Sequence, residues 1–256
     1  MPVRPAATVM VVRDSAGGAA PEVLMLKRHA ASVFAAGAWV FPGGGVDPDD
    51  ESIPVFGQGP TDAHASALVG VPAGGVAFWV AALRECFEES GLLLAVDALS
   101  GTPLDASDGA LAGRLAASRL DLCAGRRSLA DILRSEGLAL ALDDVHFVAR
   151  WITPPGRPRR FDTRFFVAAA PAGQLASHDT AETVASVWTT PAGALGRFAR
   201  GEIDCLRPTL VQLRSLAPFA TVAGVLAWAG SLAPPVTVAP VVPALPADSR
   251  EAAWPT

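Results

Sequence analysis

Lysine is nearly absent: Lys27 is the only one among 20 basic residues. Together with abundant alanine, this reflects the coding bias of a GC-rich genome and carries no functional weight. Cysteine is scarce. Cys86, Cys123 and Cys205 are scattered and odd in number, which argues against a disulfide framework and offers no zinc spacing, so a reducing cytoplasm is the expected compartment. The four histidines, His29, His64, His146 and His178, show no ligand spacing either, and they read as loop or surface residues. Positive charge is not in excess. The formal net charge of −5 argues against a nucleic-acid binder that works by neutralising phosphates. No apolar run is long enough to span a bilayer. The most apolar stretch, residues 216–232, is interrupted by Pro218 and Gly224 and reads as a buried C-terminal helix. No apolar leader follows Met1, so no signal peptide is expected.

What is present suffices for a sizeable core, since 51% of the 256 residues are hydrophobic. Residues 6–13 and 22–28 read as strands of a hairpin, and 39–41 lead into the glycine turn Gly43-Gly44-Gly45. Residues 47–76 lack periodicity and read as a surface excursion with a short helix near 61–68. Two helices are predicted at 108–122 and 128–136, the second with Ser128 as N-cap and Gly137 as terminator. Strands follow at 145–153, 159–167 and 184–189, then a short helix at 191–200 and a longer one at 208–229. Beyond Pro234 the chain is a Pro/Ala/Val-rich tail, expected to be poorly ordered or extended. Strands alternating with helices give an α/β fold with a mixed sheet.

The stretch 81–92 is the most informative. It reads as a helix closed by Gly91, with Glu85, Glu88 and Glu89 on one face at i, i+3 and i+4 and with Val80, Leu83 and Phe87 opposite. Three clustered carboxylates repel one another. Arg84 can pair with Glu88, and a divalent cation would offset the repulsion further, because Mg²⁺ and Mn²⁺ favour oxygen ligands. On the helix alone, a solvated acidic face is an equal reading.

Phe41-Pro42-Gly43-Gly44-Gly45 upstream and Arg84-Glu85-Cys86-Phe87-Glu88-Glu89-Ser90-Gly91-Leu92 together resemble the Nudix hydrolase signature, G-x5-E-x7-R-E-U-x-E-E-x-G-U, where U is bulky and apolar. Asp50 stands where the family has its first Glu, and about 26 extra residues separate the two halves. Leu24-Met25-Leu26-Lys27-Arg28, Gly37 and the F-P-G-G run also keep the register of a pattern found in coenzyme A-cleaving members. Leu26, His29 and Val33 depart from it. Long-insert coenzyme A diphosphatases carry a similarly split signature and the segments W-x-T-P and R-F-D-T-x-F-F. Here these are Trp151-Ile152-Thr153-Pro154 and Arg160-Phe161-Asp162-Thr163-Arg164-Phe165-Phe166. The resemblance implies an α/β/α sandwich with a helical insertion. It places a Nudix domain at 1–230, with insertions at about 51–77 and 95–144, and a tail at 231–256.

The chemistry implied is metal-dependent hydrolysis of a diphosphate linkage in a nucleotide derivative, most readily coenzyme A or acyl-coenzyme A. Mg²⁺ or Mn²⁺ would be held by Glu85, Glu88 and Glu89. Arg84 would orient a carboxylate through its bidentate fork. Gly43 and Gly44 would allow close backbone approach, and Arg28 and Arg160 would contact phosphate. The general base is expected at Glu182, ahead of Trp188 and near Asp179; Glu88 or Glu89 is the second candidate, and an exposed loop carboxylate is the plain alternative. Asp50 is expected to support the loop, with Glu51 as a substitute, and Asp162 to pair with a neighbouring arginine. The expected partner is a small nucleotide diphosphate rather than nucleic acid or membrane, and the resemblance adds a homodimer. Two rival functions stay open: an ADP-ribose or dinucleotide diphosphatase, and a Nudix-fold ligand-binding or regulatory module without turnover.

Overall fold

The computed structural model describes residues 2–238, apart from 19, 33, 34, 58, 158, 180, 181 and 233–235. Val33 and the tail beyond residue 238 therefore lie outside the described residues. The chain begins with the hairpin β1 (Val3–Asp14) and β2 (Pro21–Arg28), followed by β3 (Trp39–Val40) and β4 (Gly43–Gly45). After a 3-10 turn at Pro48–Ser52 come β5 (Val55–Phe56), α1 (Asp62–Val69), α2 (Val76–Ser90) and β6 (Ala95–Asp97). Next come α3 (Gly109–Cys123), α4 (Leu129–Glu136) and β7 (Leu138–Ala141). The remainder is β8 (His146–Ile152), β9 (Arg160–Ala169), β10 (Thr183–Thr189), α5 (Pro191–Ala199), α6 (Arg207–Leu216), α7 (Val222–Gly230) and β11 (Val236–Val238).

Among the described residues the main sheet runs β10-β2-β1-β9-β8-β11, with β3 on β2 and β4 on β1. It is mixed: β1 pairs in parallel with β9 over ten residues, whereas β1–β2, β8–β9 and β10–β2 are antiparallel. Both faces of β1 are buried, which is why its sequence is nearly continuous in apolar residues. Ala7, Val9 and Val11 face one core with Phe78, Leu83 and Phe87 of α2. Met10 and Val12 face a second core with Leu210 and Leu213 of α6 and Val225 of α7. Helices on both faces of a mixed sheet make the α/β/α sandwich that the sequence implies.

Three expectations need correction. Residues 47–76 are more than a surface excursion, because Ile53, Ala65 and Val69 enter the first core and β5 joins a small sheet, β5-β7-β6. Where this segment returns, a Cβ on Gly75 would lie 2.1 Å from the Ser66 backbone nitrogen, so the two backbones meet in direct contact. The single helix expected at 208–229 is two, α6 and α7, separated around Pro218; the Thr221 hydroxyl caps α7 by accepting from the Gly224 N–H at 3.1 Å. The glycine turn is instead the strand β4, paired with Ala6, Ala7 and Thr8 of β1. Val236–Val238 of the tail are extended, as expected, and pair in parallel with β8.

The helix ends follow their sequence signals. Ser128 caps α4 by accepting from the Asp131 N–H, and Gly91 and Gly137 close α2 and α4 in the left-handed region. Among the described residues no helix is long and apolar enough to cross a membrane. The three cysteines are free thiols.

Candidate active site

The catalytic-type helix α2 is buried on almost every side, including Arg84 and Glu89. Its apolar residues fix it to the sheet, so its polar residues must find partners locally. Arg84 is the hub. Its Nε donates to Asp50 Oδ1 at 2.8 Å and its Nη2 to Asp50 Oδ2 at 3.2 Å. Nη2 also donates to the Gly45 carbonyl at 2.8 Å, and Nη1 to Glu85 Oε1 at 2.9 Å and Glu88 Oε1 at 3.1 Å. Burial opposes the charge on Arg84, but the Asp50 bond and the fields of Glu85, Asp50 and Glu88 outweigh it and raise its pKa. Asp50, 1% exposed, also accepts the Asp47 N–H at 2.8 Å. In this geometry Asp50 fastens the loop before the insertion to the helix after it. Glu51 has no part in that clasp.

The glycine strand explains how carboxylates from α2 reach the far side of the sheet. A Cβ on Gly44 would lie 2.4 Å from the Glu85 carboxylate, so only glycine leaves that carboxylate its place. Gly43 N–H donates to Glu89 Oε2 at 2.9 Å. Burial pushes the Glu85 carboxyl up to about 7. Arg84 opposes that shift, while Glu88 and Glu182 add to it. Glu89 is raised well above the ordinary carboxylate range, first by burial and then by the Glu85 charge, against the bond from Gly43. Glu88 is also raised, by burial first, with Arg84 opposing.

These contacts separate a structural clash from a functional one. Gly44→Ala meets only the end of a flexible side chain, so the fold is expected to hold while the displaced Glu85 carboxylate costs about tenfold in turnover. Gly43→Ala meets backbone, with Ala7 O at 2.5 Å and Thr8 Cα at 2.7 Å, and is expected to destabilise by about 1–3 kcal/mol. Denaturation midpoints and rates measured on both variants check the contrast.

One cavity of about 580 Å³ opens beside this edge. Its lining joins Gly43, Gly44, Gly45, Glu85, Arg28 and Glu182 on one lining surface, together with Trp151, Phe161, Phe165, Arg159 and Thr209. Glu182 is exposed, and its carboxylate lies 3.8 Å from Arg28 Nη2. Asp179 holds the Glu182 backbone by accepting its N–H at 3.2 Å. Glu88 and Glu89 are not on the cavity wall. Glu88 is tied to Arg84 and Glu89 to Gly43 N–H.

Arg160 is a correction. Phe161, Thr163 and Phe165 of β9 line the cavity, and strand alternation turns residues 160, 162 and 164 to the other face. Arg160 Nε donates to the Thr153 carbonyl at 3.0 Å, and Arg159 is the arginine on the cavity wall. Asp162 makes the expected pairs, bidentate with Arg150 at 2.8 and 2.7 Å and 2.8 Å from Arg164. Strand parity was a usable signal for Arg159. Thr209 had none, because it reaches the cavity from a distant helix.

Among the described residues no three carboxylates, histidines or cysteines converge as a metal cage. The donor chemistry nevertheless fits a hard divalent ion. Glu89 is buried and Glu85 half-buried; burial raises both carboxyls, and the Glu85 charge adds to the shift at Glu89, so carboxylates placed this way favour a cation with oxygen preference.

The family described as the NUDT19 Nudix domain matches residues 3–216. The chain is 30% identical over 239 residues to the acyl-coenzyme A diphosphatase NUDT19 of Homo sapiens, covering 78% of this chain and 61% of that protein. It is 28% identical over 262 residues to the Gallus gallus protein of the same name, covering 85% and 69%. The chain thus spans about three-fifths of the length of the human relative. A crystal structure of a NUDIX hydrolase from Alicyclobacillus acidocaldarius superposes with a TM-score of 0.71 at 32% identity, covering 89% of this chain and 96% of that one.

Proposed function

This chain belongs to the NUDT19 Nudix domain family, and from that premise we propose that it hydrolyses the diphosphate linkage of coenzyme A or acyl-coenzyme A. The observation that carries the reading is the shared lining of one cavity by Gly43, Gly44, Gly45, Glu85, Arg28 and Glu182. That wall combines a carboxylate, a glycine edge that permits close approach, a cation for phosphate and a second, solvent-reachable carboxylate.

Nudix hydrolases generally use divalent metals. Here Glu85, Glu88 and Glu89 would hold Mg²⁺ or Mn²⁺, while Glu85 and Glu88 each keep one oxygen on Arg84 and Glu89 keeps one on the Gly43 N–H. When bound, such an ion neutralises diphosphate charge and lowers the pKa of water. The remaining work falls to the chain. Arg84, held by Asp50, keeps Glu85 and Glu88 oriented. Arg28 offers its guanidinium to a phosphoryl oxygen. Glu182, beside Arg28 and open to solvent, accepts the proton of the attacking water at its carboxylate, a role worth about 10²–10⁴-fold. The apolar walls, Phe161 and Phe165, exclude water from the bound linkage.

The test is a substrate panel with Mg²⁺ or Mn²⁺, holding coenzyme A, acetyl- and longer acyl-coenzyme A, ADP-ribose and NADH, with products resolved by chromatography. The expected product is 3′,5′-ADP from the coenzyme A species. AMP from ADP-ribose alone would replace this reading with the ADP-ribose diphosphatase. No product from any substrate with either metal would leave a ligand-binding module.

A further inference from the structure

Thr209 is 4% exposed, yet its hydroxyl makes no hydrogen bond to any described residue. Nor is its oxygen sealed away, since the buried side-chain atoms left without a partner among the described residues are Ser15 Oγ, Arg119 Nη2 and Trp151 Nε1. The small surface Thr209 retains lies on the cavity wall, because the residue lines the cavity. The hydroxyl therefore reaches the cavity, where a ligand can supply the hydrogen-bond partner that the described protein groups do not.

The same wall carries a second, independent feature. Leu206, Pro208 and Thr209 all line the cavity, and they are the N-cap and first turn of α6, a ten-residue helix. The N-cap Leu206 makes no side-chain capping bond. No acidic side chain stands in the first turn to complement the helix dipole. Most of the other long helices here are capped from a side chain, as Asp108, Ser128, Thr190 and Thr221 do for α3, α4, α5 and α7. An uncapped helix start facing a cavity presents positive potential to an anion next to the Thr209 hydroxyl, although Pro208 has no N–H to donate.

We propose that Thr209 and the uncapped start of α6 form an anion subsite of this cavity that binds a phosphoryl group of the substrate. This rests on the diphosphatase reading and deepens it. Coenzyme A offers two sources of such a group, the scissile diphosphate and the 3′-phosphate, and the two have the same chemistry at this subsite.

The experiment compares native protein with Thr209→Val, which keeps the shape and loses the hydroxyl, and with Thr209→Ser, which restores it. Binding of 3′,5′-ADP and AMP is measured by calorimetry, and hydrolysis of coenzyme A and dephospho-coenzyme A in parallel. Thr209→Val is expected to weaken 3′,5′-ADP binding about tenfold, the loss of one hydrogen bond to a charged group, and Thr209→Ser to restore it. Loss confined to 3′,5′-ADP and coenzyme A assigns the subsite to the 3′-phosphate. Equal loss on AMP and dephospho-coenzyme A assigns it to the diphosphate. Unchanged binding of both nucleotides by a folded Thr209→Val, or failure of Thr209→Ser to rescue, overturns the subsite. If native protein binds 3′,5′-ADP through Thr209 but cleaves nothing, the functional reading fails and the subsite stands.

Discussion

Replacing Glu85 by glutamine is expected to lower diphosphate hydrolysis at least a hundredfold and to make the metal-free protein more stable at neutral pH. The rate effect follows from the position of the carboxylate, on the cavity wall behind Gly44. Glutamine keeps the size and can still accept from Arg84, but it carries no charge for a cation. The stability effect follows from the raised pKa. The folded protein binds a proton at Glu85 up to about pH 7, whereas the unfolded chain releases it near the ordinary glutamate value. Between those limits the folded state holds more protons, so stability falls as pH rises. The loss amounts to about 3 kcal/mol in the absence of metal. Glu85→Gln removes that loss: its melting temperature should match the native protein near pH 4 and exceed it at pH 8 in chelator. Equal melting temperatures at pH 8, or a rate within a few-fold of native, would sink the assignment of Glu85.

Asp50→Ala is expected to be the most destabilising single change in the site. Asp50 is fully enclosed and holds two nitrogens of Arg84. Removing one member of a buried ion pair costs about 3–5 kcal/mol. Arg84 keeps Glu85 and Glu88, which places the cost near the lower end, about 3 kcal/mol. Asp50→Asn keeps the shape and an acceptor and should cost less. Both variants should also lose turnover, because an Arg84 no longer held by Asp50 stops orienting Glu85 and Glu88. Chemical denaturation with rates at matched folded fraction separates the two losses. Full stability in Asp50→Ala would show that the clasp is not needed.

The Asp50–Arg84 pair also shows how far the sequence could be read. Its two members were visible as pieces of one signature, because helix α2 carries its carboxylates at fixed spacing and ends on a glycine. The capping residues of α4 and the pairing of Asp162 were legible for the same local reasons. Three other features depended on distant partners. Gly43 to Gly45 read as a turn because nothing local reveals that β1 pairs with them. Residues 138–141 and 95–97 are too short for a periodicity, so the β5-β7-β6 sheet leaves no signal in the sequence. Arg159 shares the parity of Phe161, Thr163 and Phe165 along the strand, so its side of the strand is legible, but which side faces the cavity depends on how the sheet packs. Thr209, polar and inside a helix, offered no pattern at all.

The segment between Asp50 and Arg84 has a consequence for how the protein assembles. The bond between them closes a loop of 34 residues, where an uninterrupted signature closes a short one. Roughly two doublings of loop length add about 1 kcal/mol of closure entropy. Ile53, Ala65 and Val69, buried in the first core, offset that cost, as does the backbone contact of Gly75 with Ser66. The metal-type carboxylates thus reach their orientation only after the insertion has docked. Helix α2 can form from its own residues, but its chemistry waits on a long-range closure, so a refolding chain should regain helicity before it regains turnover.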